Sequence, residues 1–108
     1  MSELKEIEDA LKYAQFLIDR GYCDAATKHL FRGANKLVHL YLNLPRFASI
    51  SPILASQKLS SGNEVEKRFA EDFLKIWKLF IRPDVTKEEV LNAYKSLKSF
   101  LEYYKSTR

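Results

Sequence analysis

Three cations stand at i, i+4, i+8 spacing in the chain: Lys28, Arg32 and Lys36. On an α-helix this spacing draws one line of positive charge. Such a line holds phosphate oxygens by electrostatics alone and needs no base readout. Asn35 and His39 fall beside it. These three cations are the candidate nucleic-acid-binding set, and a solvated helix face is the plain alternative. A similar row further on, Lys67 or Arg68 with Lys75 and Lys78, is interrupted by Glu71 and Asp72 and reads as the weaker of the two.

Other chemistries fit less well. His29 and His39 are ten residues apart, which on a helix turns them about 80° out of line and sets them ~15 Å apart. They cannot share a metal ion, and no partner ligands are signalled. The carboxylates of Glu71/Asp72 and Glu88/Glu89 are sequence neighbours and diverge on a helix. Glu64/Glu66 likewise reads as a solvated face, because general acid–base work needs convergent carboxylates with separated pKa values. There is no glycine-rich phosphate loop, nucleophile elbow or His-Glu-x-x-His run. A single Cys23 excludes an intramolecular disulfide and a cysteine-built zinc cage. No cofactor or metal is expected, and no catalytic residue is assigned.

The elements that must position these residues are helical throughout. A first helix, about Ser2 to Arg20, carries Leu4, Ile7, Leu11, Ala14 and Ile18 on one stripe, which Tyr13, Phe16 and Leu17 widen. Gly21 stops it, being tolerant of positive φ. A second helix, about Tyr22 to Leu42, buries Ala26, Leu30, Gly33, Ala34, Leu37 and Tyr41. Its small residues Ala25, Ala26, Gly33 and Ala34 invite close helix approach, and Asn43 and Pro45 end it. A short helix from Pro52 to about Leu59 follows Ser51 as its N-cap, with Ile53, Leu54 and Leu59 facing inward. A fourth, Glu64 to Ile81, opens on Asn63 and Glu66 at near capping-box spacing. Its aromatic line of Val65, Phe69, Phe73, Trp77 and Phe80 reads as core rather than as base-stacking surface. That apolar circumference makes it the expected central helix, closed by Arg82-Pro83-Asp84. A fifth, about Lys87 to Lys105, has the capping box Thr86/Glu89 and a core face of Val90, Tyr94, Leu97, Leu101 and Tyr104. Tyr22, Tyr41, Tyr103 and Tyr104 are expected to be partly exposed, at a dimer interface or a nucleotide.

No segment alternates as a strand does, so the class is all-α. Short loops predict an antiparallel up-and-down bundle of four long helices plus one short helix. The 108 residues form one domain, residues 1–108. With 46% hydrophobic and 30% charged residues the chain reads as globular rather than disordered. The net charge of +4 allows a polyanion without demanding one. No apolar run of about 18 residues spans a membrane. The opening SELKEIEDALKY lacks a basic and an apolar region, so it is no signal peptide. A cytoplasmic location is expected.

The stretch LIDRGYCDAATKHLFRGANKLVHLYL, residues 17–42, resembles the first hairpin of HEPN domains: a helix ending near Gly-Tyr, then alanines and a long second helix. The likeness is strongest over residues 10–42 and extends loosely along the chain through helix count and order. It implies an up-and-down bundle, often dimeric, of a kind found in toxin–antitoxin or defence systems, with a protein such as a nucleotidyltransferase-like one, and RNA or nucleotide, as candidate partners. Many such proteins are RNases with an Arg, four to six residues and then a His, late in the bundle. Here Arg32 and His39 enclose six residues in RGANKLVH, and Arg20 and His29 enclose eight. Both pairs precede the third helix, and Arg68 and Arg82 have no His downstream. The resemblance therefore implies a non-catalytic HEPN-like module mediating protein association, with weak nucleotide or RNA binding at Lys28, Arg32 and Lys36. Two alternatives are a metal-independent RNase using Arg32 and His39 across a dimer interface, and a peptide-binding hairpin of the tetratricopeptide kind.

Overall fold

The structure is a computed structural model that describes residues 3–45, 49–82 and 84–107. Ser2 and Pro83, given roles above at a helix start and a helix end, lie outside the described residues. So does part of the link between the second and third helices.

Helix α1, Glu3–Asp19, puts Glu3 and Glu6 in its first turn, where they complement the dipole. It buries Ile7, Ala10, Leu11, Ala14 and Ile18. Gly21 then takes φ of 83°. Its N–H donates to the Ile18 carbonyl, and the N–H of Tyr22 donates to that of Leu17. This is a Schellman closure, which needs a left-handed residue at Gly21. Helix α2, Cys23–Tyr41, ends in the same way on Asn43, whose φ is 57°. Asn43 N–H donates to Leu40 and Leu44 N–H to His39. Asparagine tolerates this conformation where other side chains resist it.

Helix α3, Pro52–Ser60, is capped by the Ser51 hydroxyl, which accepts from Leu54 N–H at 3.1 Å. Its inward residues are Ala55, Ser56 and Leu59. This corrects the expectation for Ile53 and Leu54, which are 53% and 47% exposed. At about 100° per residue they lie well off the Ala55–Ser56–Leu59 face. The small residues on that face let α3 sit close to its neighbour, with the Ser56 hydroxyl donating to the Ala70 carbonyl at 3.0 Å.

Helix α4, Glu64–Ile81, and helix α5, Lys87–Ser106, both open on complete capping boxes, Asn63/Glu66 and Thr86/Glu89. In α4 the buried face is Phe69, Ala70, Phe73, Ile76 and Leu79. Val65 and Phe80 share the stripe by angle but stand near its two ends, where cover runs out, at 41% and 38% exposure. Trp77 is half-buried. The bundle therefore does not close around that indole.

Helix α2 packs against α1, α4 and α5, while α4 packs against α2, α3 and α5. Helix α1 packs against α2 and α5, so the four long helices form a ring with an α2–α5 diagonal, and α3 lies on α4. The central position expected of α4 is thus shared with α2 and α5, since each touches three other helices. Gly33 shows how near the diagonal comes: a β-carbon there would meet Ala10 of α1 at 3.2 Å and Leu97 of α5 at 3.3 Å. One buried cluster draws residues from all five helices. The radius of gyration, 13.0 Å, matches the value of about 13 Å for one compact domain of this length. Among the described residues there is no strand, so the class is all-α.

Tyr13 and Phe16 do not widen the α1 core stripe; they are exposed on its outer side. Phe16 carries the Arg20 guanidinium 4.3 Å above its ring, and Tyr13 lies against the His29 ring at 5.7 Å. Tyr104 is buried rather than partly exposed, while Tyr22 is exposed and Tyr41 and Tyr103 are half-buried.

Candidate nucleic-acid interface

The outer face of α2 is set by what its inner face must bury. Ala26, Leu30, Ala34, Leu37 and Val38 are all withdrawn from solvent. At about 100° per residue that leaves Lys28, Arg32, Asn35 and His39 on the opposite side. They line one groove with Lys36, walled by Glu3 and Glu6 of α1 and by Phe80 of α4.

Lys28 and Arg32 are exposed and have no ion-pair partner among the described residues. Lys36 differs. Its Nζ lies 3.1 Å from Glu6 Oε2, so part of its charge is already neutralised from α1. The floor is aromatic: Phe31 stacks on Phe80 with ring centroids 4.8 Å apart and a 15° interplanar angle. Phe31 also stacks on Phe73 at 6.0 Å, which fixes the pair against the core. His39 Nδ1 is 2.8 Å from the Asn35 carbonyl. A carbonyl only accepts, so Nδ1 carries the proton, and in the neutral ring Nε2 is the basic nitrogen.

A second groove, between α4 and α5, had only a weak sequence signal. Arg68, Lys75 and Lys78 line it from α4, Arg82 from the C-cap just beyond, and Lys95 faces them from α5. Asp72 enters it but Glu71 does not, so the interruption read along the sequence is only half real. Arg82 is committed locally: its guanidinium donates to Glu89 at 2.7 and 3.1 Å and to the Asp84 carbonyl at 2.9 Å. That partner, with the Thr86 cap, holds the Glu89 carboxyl down at about 2. The contribution of Lys95 is invisible to periodicity, because it depends on which face of α5 turns toward α4.

The end of the molecule near Asn63 is tied by hydrogen bonds instead. Glu66 Oε1 accepts from Asn63 N–H at 2.7 Å, and Asn63 Nδ2 donates to the Tyr103 hydroxyl at 2.9 Å. Burial raises the Tyr41 phenol above its ordinary value, with hydrogen bonds to Glu66 and Tyr103 adding to the shift. This network joins α2, α4 and α5 and reads as structural.

Among the described residues no three of His, Cys, Asp or Glu converge in a way that could hold a metal ion. No helix among them is long and apolar enough to cross a membrane. No family model matches this chain, and no curated protein or solved structure matches it significantly.

Proposed function

We propose that this chain is a non-catalytic, HEPN-like helical module that binds single-stranded RNA or nucleotide phosphates on the outer face of α2. One observation carries the reading: Lys28 and Arg32 share a groove with the Phe31–Phe80 stack. Cations that take phosphates, beside an aromatic surface that takes base faces, are the two parts of sequence-tolerant single-strand binding. Cross-helix pairs support an antiparallel, up-and-down course. Glu8 of α1 meets Lys105 of α5, while Arg82 meets Glu89 and Asn63 meets Tyr103 between α4 and α5. Tyr13, Phe16 and Tyr22, more than half exposed, support association with a second copy or with a protein partner such as a nucleotidyltransferase-like protein. The reading puts the module in the cytoplasm.

The test is titration of a labelled single-stranded RNA, followed by fluorescence anisotropy across a salt series. Each phosphate contact on a single strand contributes a salt slope of about 0.7. The double change Lys28→Glu, Arg32→Glu should therefore weaken binding and flatten the slope by about 1.4. Unchanged affinity and slope would remove the reading.

A second reading is favoured by one observation. Arg32 and His39, the pair whose spacing resembles a nuclease signature, line the same groove, and the Asn35 carbonyl orients the imidazole. As an RNase, the chain would use the His39 imidazole to take the proton from a ribose 2′-hydroxyl as its oxygen attacks the phosphorus and to return it to the departing 5′-oxygen, with Arg32 holding the phosphate. Incubation of RNA with the wild type and with His39→Ala decides it. Absence of cleavage by the wild type, or equal cleavage by both, ends this alternative.

A further inference from the structure

We infer that the groove between α4 and α5 is a second phosphate-binding segment of the same RNA site, so that one strand spans α2, α4 and α5. The inference rests on the RNA-binding reading of the α2 groove. Arg68, Lys75, Lys78 and Lys95 line the second groove and have no ion-pair partner among the described residues. The opposing charges there are Asp72 and Glu89, and Arg82 already holds Glu89. The neutral side chains beside the cations, Asn92, Ser96 and Ser99, supply hydrogen-bond donors.

The floor decides what kind of partner fits. Phe69, Ile76 and Phe100 are 3%, 1% and 2% exposed. The bundle itself has already used their apolar surface, so an amphipathic helix docking here would gain little burial. A chain of phosphates needs none. With Val65, 41% exposed, the one open apolar side chain in the lining, charge complementarity favours a polyanion over a protein helix.

Helix α4 is the wall common to both grooves. Phe80 lines the first, while Lys78 and Arg82 line the second. By helical angle Ile81 lies between those two sides, and it is 58% exposed. A strand leaving the Phe31–Phe80 stack rounds about half the circumference of α4, roughly 16–19 Å for a helix 10–12 Å across, to reach the second row of cations. The inferred ligand is therefore a single strand several nucleotides long, rather than a mononucleotide.

The experiment compares oligouridylates of about four and about twelve nucleotides, lengths that bracket common single-strand site sizes. The wild type should bind the long strand more than tenfold more tightly. Lys75→Glu, Lys78→Glu, Lys95→Glu should remove most of that advantage and flatten the long-strand salt slope by about 2. It should leave the short strand within twofold. The charge-neutral set Lys75→Gln, Lys78→Gln, Lys95→Gln should act in the same direction with an unchanged helical circular-dichroism spectrum. If the long strand is indifferent to these changes while Lys28→Glu, Arg32→Glu still weakens both strands, the inference fails and the α2 reading stands. Equal binding of both strands by the wild type also overturns it. No binding of either strand brings down the reading and the inference together.

Discussion

Replacing Gly33 by alanine tests the closest approach of three helices. The added β-carbon would sit 3.2 Å from Ala10 Cβ and 3.3 Å from Leu97 Cδ2, a few tenths of an ångström inside the roughly 3.5–4.0 Å of comfortable carbon contact. Two effects oppose each other. Alanine gains about 1 kcal/mol over glycine in a helix interior, whereas overpacking costs about 1–3 kcal/mol. The Ala10 β-carbon is fixed to its backbone and cannot yield without moving a helix, and Leu97, wholly buried, has little room to turn its Cδ2 away. Crowding therefore wins, by about 1 kcal/mol once the helix gain is subtracted. For a domain of this size that lowers Tm by about 4–8 °C. Urea unfolding followed by circular dichroism measures the loss, with the m value held constant as the check that the unfolded state has not changed. Gly33→Val, which brings two further carbons, should lose more. If Gly33→Ala proves more stable than the wild type by the helix-propensity amount, then α1, α2 and α5 do not meet here as described.

The remaining predictions concern charge, capping and core. Glu89 has its pKa depressed from 4.5 to about 2 by Arg82 and the Thr86 backbone, so its ionised form favours the folded state. Its contribution is complete above about pH 4.5, the unfolded value, and is lost as pH falls toward 2. Thermal unfolding of the wild type and Glu89→Gln should differ at pH 6 and converge near pH 2; a constant gap across that range would refute it. Asn63→Ala removes the acceptor for Glu66 N–H and the donor to Tyr103, and should cost about 1–2 kcal/mol in urea unfolding. Asn63→Ser should recover the capping share but not the Tyr103 bond, and a serine variant no better than alanine would deny the cap its role. Phe73→Ala deletes a fully buried ring stacked between Phe31 and Phe69, with a loss of about 3–5 kcal/mol; chemical unfolding reads that loss, and one below 1 kcal/mol would contradict such burial.

Most helix boundaries were legible because their signals are local. Asn63 and Glu66 announce the first turn of α4, and Gly21 closes α1 through its own φ. The α2 cations were legible for the same reason, since one helix carries all three. Where reading failed, the answer lay on another helix. Ile53 and Leu54 look inward until the Ala55–Ser56–Leu59 face claims α4. Spacing puts Tyr104 on the core stripe of α5 while its phenol suggests a place at the surface, and only Tyr41 packing across it decides for burial. The half-neutralised state of Lys36 depends on Glu6 of α1, and the aromatic floor beside Arg32 depends on Phe80 of α4. Periodicity reports which residues share a side of one rod; it carries no record of the rod that comes to lie there.

Helix α3 differs from the rest in how it is held. Among the described residues it packs chiefly on α4, through Ala55, Ser56 and Leu59 and the hydrogen bond from the Ser56 hydroxyl to the Ala70 carbonyl. An appendage fastened along one edge can lift away while the remaining core stays shut. Its amides should therefore trade hydrogen with solvent through detachment of that segment alone, well before the whole molecule opens. Any partner that grips Ile53 and Leu54 would work against this weak hinge and not against the stability of the bundle.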